Sequence, residues 1–203
     1  EIDKFMIQFD NLSQEAPYLV FKDKYNQSLK ANQKAIEAIC ISSYSSKKKE
    51  VNGRYVNLKF VNGRKFIFFS NYKSPKSQEF TQHNQITASL YWSKTDTQIR
   101  MKAYIEQTSS EFNKNYFAKR DKKKNALAIS SHQSSPITSY EALQKNYELS
   151  LLETNLTECP EYWGGYSFTP YYFEFWEGHE SRLNKRETYE LNKGKWIHGF
   201  LQA

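Results

Sequence analysis

Apolar residues in the first part of the chain recur at helical spacing. Within Tyr18–Glu37, the residues Tyr18, Phe21, Tyr25 and Leu29 lie three or four positions apart, and most residues between them are polar. This amphipathic spacing predicts an outer helix over Tyr18–Glu37.

After Ala38 the spacing changes to the alternation expected of β-strands. Three strands are predicted up to Phe69, joined by tight turns at Lys47–Gly53 and Val61–Arg64. Asn62-Gly63 in the second turn is the strongest hairpin signal of the chain. The prediction is an antiparallel meander.

Capping and turn residues predict the remaining elements. Ser74–Gln82 is expected to be a short helix with Pro75 in its first turn, and its free backbone N–H groups suit a phosphate. Glu141 follows Thr138 at the spacing of a capping box. The other predicted elements are a hairpin of Ile86–Trp92 with Gln98–Gln107, helices over Ser109–Ala118 and Thr138–Leu152, and strands over Phe168–Glu177, Glu187–Leu191 and Trp196–Leu201.

Six or more short antiparallel strands with helices at their ends predict an α+β fold built on a small β-barrel. We expect a single domain, with an N-terminal extension and helix over residues 1–37 and the barrel over residues 38–203. The glycine-rich nucleotide loops, the G-x-S-x-G elbow and the H-E-x-x-H motif do not occur in the sequence.

Composition adds an aromatic core and a preference for anions. The chain has 14 Phe, 15 Tyr and 4 Trp among 203 residues, so large rings are expected to fill the interior. Its net charge of +7 favours acidic partners such as nucleic acid, anionic membranes or phosphorylated small molecules.

The cysteines and histidines give no metal or disulfide pattern. Cys40 and Cys159 are far apart, and the four histidines lack metal-ligand spacing, so neither a zinc site nor a disulfide framework is expected. No apolar run reaches the ~18 residues of a membrane span, and the opening residues lack a signal-peptide pattern. These features predict a cytoplasmic protein that does not bind a membrane.

Rings and cations cluster in two regions. Trp163-Gly-Gly-Tyr166, Trp176 and Arg182–Arg186 combine indoles, glycines and guanidinium groups that suit a planar anionic ligand. Upstream, Arg54–Lys59 and Ser70–Lys76 place cations on or just after predicted strands. We expect the two regions to form one composite site.

Two smaller sets of residues leave alternatives open. Arg54 and Lys59 are an odd number of positions apart, so on a regular strand they face opposite sides. One interpretation is that both are exposed strand cations. The other is that both serve one site, which requires a ligand that wraps around the sheet edge, a bulge in the strand, or a pair of stacked ligands of which each cation binds a different part. Tyr116, Arg120 and Lys124 are either a donor clamp for a phosphate monoester or a solvated helix end.

Taken in order, short segments of the chain resemble the pyridoxine (pyridoxamine) 5′-phosphate oxidase family of FMN-binding split β-barrels. The resemblance runs from about Ala38 to the C-terminus, and it implies a homodimer with FMN at the subunit interface. The matching pieces are Arg54–Lys59, Phe68–Tyr72 with Lys76, Tyr91-Trp92, Gln98–Arg100, Tyr116-Phe117 with Arg120, Gln133-Ser134, Trp163–Tyr166, Glu174–Trp176 and Arg182-Leu183 with Arg186.

The resemblance also implies roles for individual residues. The substrate phosphate would be held by Lys59, Tyr116, Arg120 and Lys124, and Arg182 and Asn184 would embrace the pyridine ring as catalytic residues. The positions that it assigns to FMN are Arg54, Tyr55, Val56, Asn57, Leu58, Lys59, Phe69, Ser70, Lys76, Gln98, Gln133, Ser134, Trp176 and Arg186, some of them reaching a neighbouring subunit's cofactor.

The implied reaction is oxidation of pyridoxamine or pyridoxine 5′-phosphate to pyridoxal 5′-phosphate, with dioxygen as acceptor and hydrogen peroxide as by-product. Three positions depart from the family pattern: Pro75 replaces an arginine, Lys124 a serine and Asn184 a histidine. Asparagine cannot take or give a proton at this position. Alternatives are a flavoprotein for another planar substrate, a catalytically silent carrier of flavin or pyridoxal phosphate, and a single-stranded nucleic acid binder, although the resemblance implies no nucleic acid.

Overall fold

The computed structural model describes residues 6–203, so the first five residues of the predicted N-terminal extension lie outside the described residues. The chain is α+β, as predicted. Its helices are α1 (Ala16–Lys30), α2 (Pro75–Gln82), α3 (Ser110–Lys119), α4 (Lys122–Ser130) and α5 (Tyr140–Glu153). Its strands are β1 (Gln8–Asp10), β2 (Ala38–Ser45), β3 (Glu50–Asn57), β4 (Phe60–Asn62), β5 (Lys65–Asn71), β6 (Gln85–Trp92), β7 (Thr97–Gln107), β8 (Trp163–Glu177), β9 (Lys185–Asn192) and β10 (Lys195–Leu201).

The long strand β8 organises the sheet. It pairs with β7 along one side from Tyr166 to Glu177. On its other side it pairs first with β5, through Phe168, and then with β9, from Tyr172 onward. Because two different strands share this side of β8, the sheet divides there, and the two ends of β8 contribute to different surfaces.

The predicted hairpins form, but the predicted meander is wrong. β2 pairs with β3, β4 with β5, and β6 with β7, all antiparallel. However, the strand order is β1-β4-β5-β8-β7-β6-β2-β3, so β3 lies at one end and β4 is next to the other end. The two residues between β3 and β4 connect these distant strands. Leu58 N donates to Glu37 O at 2.8 Å, next to β2, and Lys59 N donates to Ile67 O of β5 at 2.8 Å. β3, the last strand of this order, also contacts β5 near its other end.

Three helical predictions need correction. α1 ends at Lys30, seven residues before the predicted end at Glu37, because Asn32 and Ala35 adopt positive φ angles of 57° and 49°. α5 is capped by Ser139, whose hydroxyl accepts from Ala142 N, and not by Thr138. The sequence analysis did not predict α4 at all.

The core is aromatic, as the composition predicted. α1 inserts Tyr18 and Phe21, both fully buried, against the sheet. There Tyr18 packs edge-on to Phe173 at 5.2 Å, and Phe66 stacks on Phe168 at 5.2 Å. Burial of such rings supplies most of the favourable free energy of folding, and ring pairs of this kind add about 0.5–1.5 kcal/mol each.

None of the helices within residues 6–203 has the length and apolar character to cross a membrane.

Candidate active site

A cavity of about 600 Å³ opens where β3, β5, α3 and the start of α4 meet. This volume is in the usual range for a small-molecule site. Many of its lining residues were predicted as site residues: Arg54, Tyr55, Val56, Asn57, Lys59, Phe69, Ser70, Lys76, Tyr116, Arg120, Lys124, Gln133 and Ser134.

One wall of the cavity carries a donor cluster around Gln133. Ser70 at the end of β5 donates from its hydroxyl to Gln133 Oε1 at 3.0 Å, and Lys76 Nζ donates to the same oxygen at 2.8 Å. Lys76 lies in the first turn of α2, where Ser74 and Pro75 begin the helix as predicted. Burial, with a smaller contribution from nearby Arg54, lowers the pKa of Lys76 to about 8. The charged form of Lys76 is therefore stabilised when an anion binds beside it.

Arg54 and Lys59 face the same cavity, although strand alternation placed them on opposite faces. β3 ends at Asn57, so Lys59 lies beyond the regular strand and the alternation rule does not reach it. Arg54 is already paired, because its guanidinium donates to Glu79 Oε2 at 2.9 Å and to Ser43 Oγ at 2.5 Å. It therefore presents a partly neutralised charge to the cavity.

A second donor cluster consists of Lys59, Tyr116, Arg120 and Lys124. Burial lowers the pKa of Lys59, and Lys124 and Arg120 lower it further, although Glu37 acts in the opposite direction. Burial also lowers the pKa of Arg120, which caps the C-terminus of α3 and donates to Asn125 Oδ1 at 2.9 Å. The cluster concentrates positive charge in a partly desolvated place, as a phosphate site requires.

Three parallel rings stack beside this cluster. Phe69 stacks on Tyr116 at 3.9 Å and on Trp163 at 5.1 Å, with interplanar angles of 9° and 7°. The guanidinium of Arg120 lies over the Trp163 ring, 5.0 Å from its centroid. The stack holds Tyr116 and Arg120 in place.

The Trp163-Gly-Gly-Tyr166 segment has a packing role within one chain, and the expected contribution of this region to a site for a planar ligand stays a prediction. Trp163 is buried and does not line the cavity. A Cβ on Gly164 would come within 2.1 Å of the Tyr72 hydroxyl and 2.4 Å of Asn113 Nδ2. Only glycine therefore allows these side chains to approach the backbone.

A second set of predicted residues lies outside this cavity, on the face of β7, β8 and β9. Gln98 is paired in register with Trp176, and Trp176 with Arg186, so the three side chains are neighbours across the sheet. Buried Glu174 holds this region together: its Oε1 accepts from Arg186 Nε at 2.8 Å and its Oε2 accepts from Arg100. Burial alone would raise the pKa of Glu174, but the two arginines lower it overall.

Arg182 and Asn184 lie in the exposed loop between β8 and β9, and they do not line the cavity either. Arg182 has a positive φ of 59°. Within the described residues, one chain thus does not bring the two predicted regions into one composite site.

Leu58, which the resemblance assigns to FMN, is fully buried, its backbone N–H is bonded to Glu37 O, and it does not line the cavity, so this assignment stays a prediction. Sequence reasoning also missed some cavity residues. Gln8 arrives through the parallel pairing of β1 with β4, which leaves no local pattern. The others are Met6, Phe60, Lys119 and Asp121.

Comparison with known proteins assigns the family. Residues 24–150 match the model described as pyridoxamine 5′-phosphate oxidase, and residues 163–203 match the pyridoxine 5′-phosphate oxidase C-terminal dimerisation region. The pyridoxine/pyridoxamine 5′-phosphate oxidase of Vesicomyosocius okutanii is 33% identical over 183 residues, which cover 89% of this chain and 85% of the relative.

Two solved structures share the fold. PhzG from Burkholderia lata, in complex with tetrahydrophenazine-1-carboxylic acid, has a TM-score of 0.86 at 24% identity and covers 92% of both chains. A pyridoxamine 5′-phosphate oxidase-related, FMN binding protein from Nostoc punctiforme has a TM-score of 0.79 at 13% identity, covering 94% of this chain and 100% of the other. The solved structures show the shared fold, and the family-model match and the 33% identical relative show that the chain belongs to the pyridoxamine 5′-phosphate oxidase family.

Proposed function

We propose that this protein is an FMN-dependent oxidase that converts pyridoxamine or pyridoxine 5′-phosphate to pyridoxal 5′-phosphate. The observation that carries the proposal is the presence of two separate donor clusters in one cavity. One contains Ser70, Lys76 and Gln133, and the other is the Lys59, Tyr116, Arg120 and Lys124 cluster. Two such clusters suit two phosphorylated molecules bound side by side, a cofactor and a substrate.

The first cluster fits the phosphate of FMN. Ser70 and Lys76 supply donors, and the buried ammonium of Lys76 has a lowered pKa that an anion would relieve. When bound, FMN would accept a hydride from the C4′ carbon of the substrate, whose alcohol or amine loses a proton, and dioxygen would take up both electrons and two protons as hydrogen peroxide. With the amine substrate, water would hydrolyse the resulting imine and release ammonia.

The chain's own residues would bind and orient the substrate. In the second cluster, the guanidinium of Arg120 and the ammonium of Lys59 hold the substrate phosphate, and the Tyr116 hydroxyl adds a donor. Arg182 holds the pyridine ring. Arg186, fixed by Glu174, presents a cation that stabilises negative charge developing on the flavin without having to reorganise.

We further propose that a second copy of the chain completes each site. This would bring Gln98, Trp176, Arg182 and Arg186 of one copy to the cavity of the other. Two observations support a homodimer: residues 163–203 match a dimerisation region, and β10 exposes Ile197 and Phe200 by 55% and 63%.

The test is an absorbance scan of the purified protein between about 350 and 500 nm, followed by a peroxide assay with each phosphorylated vitamer. We expect a flavin spectrum and peroxide that depends on a phosphorylated vitamer, with unphosphorylated pyridoxine as a poor substrate. Flavin without vitamer-dependent peroxide would favour another planar substrate, as the resemblance to PhzG and the Asn184 position suggest. A colourless protein that does not bind added FMN would refute the proposal.

Lys76 predicts a pH dependence of FMN binding. The side-chain amine of Lys76 binds phosphate well only when it is protonated, and its pKa in the free protein is about 8. The affinity for FMN should therefore be constant from pH 7 to about 8 and then fall, by up to about tenfold per pH unit. Quenching of FMN fluorescence measures this affinity.

Lys76→Met should weaken FMN binding and remove the decline that begins near pH 8. The matched control is Lys73→Met, because Lys73 is an exposed lysine three residues away. This control should keep both the affinity and its pH dependence. An unchanged pH profile in Lys76→Met would assign the titration to another group, such as Lys59.

A further inference from the structure

The loop between β8 and β9 is closed by a network of hydrogen bonds centred on His179. Asn184 Oδ1 accepts from His179 N at 3.1 Å. His179 O accepts from Arg182 N at 2.8 Å, and His179 Nδ1 accepts from Ser181 N at 3.2 Å. Three backbone N–H groups of this short loop are therefore satisfied inside it.

Arg182 needs this support. Its φ of 59° lies in the left-handed region, which is unfavourable for a residue with a side chain. Ser181, Arg182 and Leu183 are all exposed, so burial does little to fix their backbone. The hydrogen bonds around His179 are then the main force that selects the direction in which the Arg182 side chain leaves the loop.

The near end of the loop is anchored to the turn between β6 and β7. Gly178 N donates to Asp96 O at 3.0 Å, and a Cβ on Gly178 would lie 1.7 Å from Asp96 Oδ2. Tyr91 in turn donates its hydroxyl to Asp96 Oδ1 at 2.7 Å. One end of the loop is thus held by this turn, and the other end is held by Asn184.

We propose that Asn184 is a positioning residue: its side-chain oxygen closes this loop and fixes Arg182, and its contribution to the reaction acts through Arg182. The proposal rests on the proposed function for the role of Arg182. The observation behind it is the loop geometry, since the amide oxygen of Asn184 accepts from His179 N and the carbonyl of His179 accepts from Arg182 N. It also explains how a residue that cannot transfer a proton serves at this position.

The first test is hydrogen exchange of the His179 amide in the purified full chain without added substrate. Asn184→Ala removes the acceptor and should speed this exchange about fivefold, as expected for the loss of one hydrogen bond. Asn184→Asp keeps an acceptor oxygen and should protect the amide at least as well as asparagine. The control is Ser181→Ala, because only the backbone of Ser181 takes part in the network.

Equal exchange rates in Asn184→Ala and the unmodified protein would overturn the proposal. So would exchange in Asn184→Asp as fast as in Asn184→Ala. Because this measurement needs neither flavin nor substrate, it stands even if the proposed function fails.

The second test is a double-mutant cycle between Asn184→Ala and Arg182→Ala, read as KM and kcat for pyridoxine 5′-phosphate. If Asn184 acts through Arg182, Asn184→Ala should raise KM about three- to tenfold alone and by less than twofold when Arg182 is already alanine. Additive effects would show that Asn184 contacts the substrate itself and would overturn the proposal. Absence of oxidase activity in the unmodified protein would count against the proposed function, and the exchange result would then decide on Asn184.

Discussion

Replacing Glu174 by glutamine should lower the free energy of unfolding by about 2–4 kcal/mol, because it breaks a buried charge network. The carboxylate is 3% exposed and binds Arg100 and Arg186 through its two oxygens. Glutamine has the same shape but carries a donor NH2 group on one side. One guanidinium would then face a donor in place of an acceptor.

For a chain of 203 residues this loss corresponds to a fall in Tm of about 5–12 °C at fixed protein concentration. The lowered pKa of Glu174 also sets the pH dependence. A carboxyl group whose folded pKa lies below its ordinary 4.5 stabilises the protein above that pH and loses this effect in acid. The difference between the two proteins should therefore shrink as the pH falls below about 4.5.

The matched control is Glu106→Gln. Glu106 also pairs with a cation, Lys65 at 2.6 Å, but both side chains are more than half exposed. An exposed pair contributes at most about 1 kcal/mol, so this variant should keep its Tm within about 3 °C. Equal effects of the two substitutions would mean that burial of Glu174 does not decide its contribution.

The fold was largely predictable from the sequence where local chemistry sets the backbone. Asn62-Gly63 marks a hairpin, and Gly63 indeed has a positive φ of 57°. The Ser109 cap of α3 and the Ser74-Pro75 start of α2 were also visible in the sequence. These signals act over a few residues, so the sequence displays them directly.

Elements that depend on distant contacts could not be predicted correctly from the sequence. The apolar residues of α4 form one continuous run, Ala126–Ile129, and not a helical repeat. Its buried residues include the polar Asn125, whose Nδ2 donates to Phe117 O and Leu156 O at 2.8 Å each. No periodicity reveals such a contact. Likewise β3 and β4 are adjacent in sequence but do not pair, and this becomes apparent only from the order of all the strands in the sheet.

The candidate site was predicted unevenly for a related reason. The cavity residues come from several elements of one chain, and their order along the sequence matched a family pattern. The roles of Gln98, Trp176 and Arg186 depend on a second copy, so they stay predictions. The departure at Asn184 was visible in the sequence, but its bond to His179 N was not, because the loop geometry creates it.

The charge of the cavity explains why its cations are costly without a ligand. Among residues 6–203, it is lined by Arg54, Lys59, Lys76, Lys119, Arg120 and Lys124 together with a single acidic residue, Asp121. Arg54 is neutralised by Glu79, but the lowered pKa of Lys59 shows that its charge is disfavoured in the free protein. These cations lower the stability of the ligand-free protein and favour the binding of an anion.

Lys59→Met should therefore separate stability from function. Removing the ammonium relieves its desolvation and its repulsion from Lys124 and Arg120, against the lost attraction to Glu37, so the Tm of the substrate-free protein should stay the same or rise. KM for pyridoxine 5′-phosphate should rise roughly 10- to 100-fold, the range for losing a hydrogen bond to a charged group.

The control for this experiment is Lys119→Met, the same substitution at an exposed lysine of the same cavity. A lysine that stays hydrated gives up little charge energy when a phosphate binds, so KM should change less than threefold. Unphosphorylated pyridoxine provides the second comparison, because at saturating FMN its weak turnover should be equal in the unmodified protein and Lys59→Met. If Lys59→Met instead lowers the Tm and leaves KM unchanged, Lys59 is a structural partner of Glu37, and the second donor cluster loses its role in binding the substrate phosphate.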